Sequence, residues 1–74
     1  MIYVVIAYRW NSNESHSYLV TASLNRQDAI DAAEFEANER GGKYSCRVYE
    51  VDPSIKYDGE QNGTLVHTAK GIEF

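Results

Sequence analysis

A single helix set among strand-like stretches is the strongest constraint this chain places on its own fold. From Asn25 to Arg40 it reads NRQDAIDAAEFEANER. At roughly 100° per residue, Ala29, Ile30, Ala33 and Ala37 fall within about a third of the helix circumference, the width of a core-facing stripe. Asn25 suits the N-cap, Asp28 takes the third helical position, and Leu24 is placed to pack back on Ala29 as a staple. Gly41-Gly42 supplies the left-handed backbone that ends helices, and Arg40 complements the C-terminal dipole. One helix covers only one face of a sheet, so the strands around it are left with a second face to shield.

The flanking segments alternate with a period of two. Ile2 to Tyr8 (IYVVIAY) is apolar on both faces, with Ile2, Val4, Ile6 and Tyr8 on one and Tyr3, Val5 and Ala7 on the other, as expected of a central strand. A polar loop from Arg9 to Ser17 separates it from a second strand, Tyr18 to Ser23. After the helix, Lys43 to Val51 reads as a third strand, ended by Asp52-Pro53. A right-handed crossover through the helix sets strands two and three parallel, with strand one filling the gap between them in the order 2-1-3. The predicted fold is therefore α+β, a three- to four-stranded, mainly antiparallel sheet with one helix on one face. Residues 1–52 form the ββαβ core. Residues 53–74 form a C-terminal extension, a hairpin or short fourth strand at Leu65 to Ala69, with turn signals at Asp58-Gly59 and Asn62-Gly63 and an apolar foot at Ile72 and Phe74. The uncovered face then falls to that extension, to a second copy of the chain, or to a target protein.

At 74 residues, a domain buries only about 60–65% of its unfolded surface, so stability is expected to be modest. The lone cysteine, Cys46, excludes an intramolecular disulfide and any cysteine-rich metal knuckle. A net charge of −4, with seven scattered basic residues, argues against binding nucleic acid through its phosphates. An acidic surface suits a basic protein groove instead. The N-terminal apolar run has no basic region before it and is too short to span a bilayer, so the chain reads as soluble, cytoplasmic and free of membrane contact.

Enzyme chemistry finds little to stand on. His16 and His67 lack a second ligand at metal spacing, Cys46 sits mid-strand as a small core residue, and no glycine spacing makes a phosphate loop. We expect no enzyme activity, no cofactor and no metal. Two binding candidates remain. The first is Phe35, which points roughly 140° away from Ile30 and lies among Asp28, Asp31, Asn38 and Glu39; it is either covered by the tail (Ile72 or Phe74) or used against a partner. The second is a loop patch of Trp10, Asn13 and His16 with Tyr18, rich in stacking and hydrogen-bonding groups, whose plainer reading is that Trp10 caps the core.

Three segments, Tyr8-Arg9-Trp10, His16-Ser17-Tyr18 and Gly41-Gly42-Lys43-Tyr44, lie within YRWNSNESHSYLV and ERGGKYSCRVYEVD. Together with the Ala/Glu helix between them, they resemble a small ββαβ family of bacteriophage and prophage proteins of unknown function. The resemblance spans Met1 to about Asp52 and implies fold and origin, not activity. More loosely, the length, acidity and ββαββ order are similar to phage-encoded inhibitors of bacterial defence, including some anti-CRISPR proteins. That likeness implies a non-enzymatic inhibitor of a host protein, acting in the host cytoplasm. The alternative is a dimeric small-molecule or nucleotide-binding module with a pocket at Trp10, His16 and Tyr18.

Overall fold

The density of β-branched residues in Ile2–Arg9 makes this strand, β1, the hub of the molecule. A computed structural model describes residues 1–9, 17–54 and 63–70. Within them, β1 is followed by β2 (Tyr18–Ser23), helix α1 (Arg26–Glu39), β3 (Tyr44–Val51) and β4 (Thr64–Ala69). The sheet order is β2-β1-β3-β4, every neighbouring pair antiparallel. β2 and β3 therefore run in the same direction on either side of β1, the arrangement expected from a helical crossover between them, and the extension contributes β4 to the edge beside β3.

Strand register assigns the two faces. Val5 stands opposite Val48 and Ala7 opposite Cys46, while Cys46 stands opposite Ala69. These five side chains are buried together with Ala29, Ala33 and Ala37 of α1. The three alanines follow one another at i, i+4 and i+8, so their methyls form a smooth ridge that lets the helix axis approach the sheet closely. Ile30 and Val66 pack at the margin of this core. The sheet's other face carries Val4, Ile6, Tyr8, Tyr49 and Val51, and among the described residues no helix lies over it.

Both ends of α1 are specified locally. Asn25 is extended, and its side-chain oxygen accepts the Asp28 amide at 3.0 Å. The Asn25 amide in turn donates to Ser23 Oγ at 3.0 Å. At the far end the Gly41 amide donates to Asn38 O and the Gly42 amide to Ala37 O, with Gly41 at φ 65°. This is the Schellman closure, and its positive φ is what glycine supplies at low cost. Leu24 departs from expectation. It is 83% exposed instead of stapled to Ala29, because the Ala29 methyl is turned fully into the sheet and offers Leu24 no surface to pack on. Removing the cap with Asn25→Ala is expected to cost about 1 kcal/mol, readable as a drop in the urea midpoint at unchanged m-value.

No helix among the described residues is long and apolar enough to cross a membrane.

Candidate functional site

The outer face of α1 follows from the inner one. Once Ala29, Ala33 and Ala37 are committed to the sheet, the same 3.6-residue period turns Asp28, Asp31, Glu34, Phe35, Asn38 and Glu39 outward, and all six are exposed. Phe35 is 64% exposed. Asp31 and Glu39 lie one turn before and after it on nearly the same line, about 6 Å along the axis. The helix thus presents an aromatic ring within a frame of carboxylates.

Beside that ring runs a groove of about 490 Å³ between the C-terminal end of α1 and the end of β4, lined by Glu34, Phe35, Asn38, Gly41, Gly42 and Lys70 with Ala37 beneath. Its shape depends on the Schellman closure: two glycines leave that end of the helix without side chains. A Cβ at Gly41 would meet nothing within 4 Å, so there the requirement is for backbone conformation, and the open space is a by-product. One side of the groove is held by Glu34, whose Oε2 lies 2.8 Å from His67 Nε2 on β4. Asp31 Oδ1 accepts from Gln27 Nε2 at 2.9 Å. The groove offers a carboxylate, an amide, an ammonium group and an aromatic edge, a set suited to a polypeptide more than to a small apolar ligand.

Tyr18 belongs to a different assembly. Its hydroxyl donates to Glu36 Oε2, and Arg40 Nε donates to both that carboxylate oxygen and the Tyr18 oxygen at 3.0 Å. The Tyr18 and Tyr44 rings meet edge to face at 5.4 Å, and the Arg40 guanidinium lies 5.5 Å from one ring centre and 5.9 Å from the other. The cluster ties edge strand β2 and the start of β3 to the last turn of the helix. Burial first, then the bond to Glu36, pushes the Tyr18 phenol up to about 12. Glu36 moves the other way, held below its ordinary value by the Tyr18 hydroxyl first and by Arg40 second. Its hydroxyl thus engaged, Tyr18 joins strand to helix. Trp10, Asn13 and His16, the other members of the loop patch, lie outside the described residues, as do Ile72 and Phe74.

Cys46 is fully buried, and loss of solvent, reinforced by Glu36 and Glu34, raises its thiol to about 11. It holds no thiolate at neutral pH. Among the described residues no three His, Cys, Asp or Glu side chains gather as a metal site.

Sequence reasoning found Phe35 and its acids but not the groove. Lys70 gave no signal, because nothing local shows that the end of β4 reaches the helix terminus. The Glu36–Arg40 half of the tyrosine cluster was legible as an i, i+4 pair; its Tyr18 half was not.

No family model matches the chain, and neither a curated protein nor a solved structure does.

Proposed function

We propose that this chain is a small non-enzymatic protein of phage type that binds a basic groove on a host protein through the outer face of α1, and blocks it. The observation that carries this reading is Phe35, a large apolar ring 64% exposed on a helix whose other outward residues are mostly acids. A chain selected only to fold gains nothing from an aromatic there, since a polar residue would sit in the same place at no loss of core. In an interface the same ring would enter an apolar pocket while Asp28, Asp31 and Glu39 face basic side chains around it, a central anchor within a charged rim. The resemblance to phage-encoded inhibitors of bacterial defence fits a target that itself handles nucleic acid, because such proteins expose basic grooves.

The alternative, a small-molecule module at Trp10, His16 and Tyr18, gains less: the Tyr18 hydroxyl is already taken by Glu36 and Arg40. The helix face is therefore preferred.

The test is affinity capture from bacterial lysate, followed by titration of the captured protein against variants. Phe35→Ala should weaken binding by about thirtyfold or more, equivalent to a hot spot of about 2 kcal/mol. Its thermal midpoint should stay with the wild type, as for other surface substitutions. Asp31→Lys with Glu39→Lys should weaken binding further, mainly through a slower on-rate. Unaltered binding by Phe35→Ala, or a collapse of its folding, would remove the basis for this reading.

A further inference from the structure

We infer that the helix-free face of the sheet is the contact between two copies of this chain, which pair face to face as an α/β/β/α sandwich. This surface is separate from the Phe35 face and does not depend on the proposal made for it. Four observations converge on a second copy as the occupant.

The first is composition. Val4, Ile6 and Tyr8 on β1 and Tyr49 and Val51 on β3 form a continuous apolar centre around a depression of about 290 Å³. Register carries the patch outward onto both edges: Leu19 stands opposite Ile6 and Leu65 opposite Tyr49. These two leucines are 63% and 49% exposed. The apolar band therefore crosses all four strands instead of ending at the middle pair.

The second is charge. A chain of net charge −4 ordinarily repels its own copy. Here the acids of the described residues gather elsewhere: Asp28, Asp31, Glu34, Glu36 and Glu39 on the helix, Glu50 on the helix side of β3 bonded to Tyr3, and Asp52 beyond the strand. The strands' helix-free face carries Arg47, its guanidinium 4.7 Å from the centre of the Tyr8 ring, and no carboxylate among its described strand residues. The described strand residues of two such faces can meet without opposing acids.

The third is the state of the edges. Register shifts in the β1–β2 and β3–β4 pairings leave Val20 and Val66 as extra residues on the two edge strands. Bulges of this kind twist an edge away from intermolecular pairing. Association along the edges is thereby discouraged, while no described helix or strand lies over the face.

The fourth is size. Two strands of eight residues and two of six, about 3.3 Å per residue and about 4.8 Å apart, give a flat footprint of roughly 440 Å² before side-chain relief. Side-chain relief adds to that area and brings it toward the lower bound of about 600 Å² per partner for a specific interface. Two sheets packed about 10 Å apart would bury it. The pair would then turn both α1 helices outward, displaying Phe35 twice.

The experiment is sedimentation equilibrium on the full chain over a wide dilution series. The expected mass is twice 8.4 kDa at high concentration, falling toward 8.4 kDa on dilution. Leu19→Lys combined with Leu65→Lys changes two exposed side chains and should keep the circular dichroism spectrum. It should weaken self-association by about a hundredfold or more, because the pair would have to bury unpaired ammonium groups. Phe35→Ala, on the opposite side, should leave the dimer intact. A wild-type mass of 8.4 kDa throughout would overturn the inference and assign the face to another segment or a foreign partner. A folded double-lysine variant that still doubles its mass would overturn it equally.

Discussion

Ala33→Leu is expected to lower the unfolding free energy by about 2–3 kcal/mol. Ala33 is the middle of the three-alanine ridge and is fully buried among Val5, Ala7, Cys46 and Val48. Three additional carbons at that point have nowhere to go without lifting the helix from the sheet, and lifting it opens the contacts of Ala29 and Ala37 as well. For a domain of this size each kcal/mol shifts the thermal midpoint by about 4–8 °C, so the drop should be on the order of 10–20 °C. The comparison is Glu39→Leu, which places the same side chain on the exposed face and should leave the midpoint nearly unchanged. Equal midpoints for the two variants would show that the ridge is not close-packed. The effect is large because the core is small: its largest fully buried side chains are Val5, Val48 and Cys46. A core built from valine and alanine has few contacts to spare.

Glu36→Ala is expected to cost about 2 kcal/mol, since it removes the acceptor for two hydrogen bonds, one from a phenol and one from a guanidinium. The Glu36 side chain is only 19% exposed, so water replaces those bonds poorly. The pH dependence identifies the cause. Because the folded-state pKa of Glu36 lies below its ordinary value of 4.5, its contribution is present above that value and is lost as pH falls through the depressed one. Wild-type stability should therefore decline on acidification over that window, and the variant should decline less. Tyr18 gives the mirror result. Its phenol is raised from 10.0 to about 12, so its contribution holds below pH 10 and is lost as pH rises through about 12. Denaturant midpoints measured along a pH series test both arms. Parallel acid limbs for wild type and Glu36→Ala would mean that the carboxylate is not bonded as described.

Most of the backbone plan was legible because it rests on local rules. Asn25 and Gly41-Gly42 mark the ends of α1 through hydrogen bonds made within a few residues, which neighbouring sequence can encode. The two-sided apolarity of β1 foretold its interior place in the sheet, and the change of period after Lys43 foretold β3. Leu24 was misread for a related reason: a staple depends on a partner surface, and whether Ala29 would spare any depended on how near the sheet came to the helix.

The candidate sites divide the same way. That Phe35 lies off the apolar stripe is a statement about angle along one helix, and angle is fixed by sequence spacing. That Lys70 closes a groove beside it, that Tyr18 reaches across to Glu36 and Arg40, and that Leu19 and Leu65 extend one apolar band over four strands are statements about elements distant in the chain. The sequence alone determined which segments are helix and strand, where they stop, and which face of each is apolar, because those properties follow from covalent geometry and neighbouring side chains. Tertiary structure alone decided which faces meet, since that depends on register and approach distance between segments that share no local code.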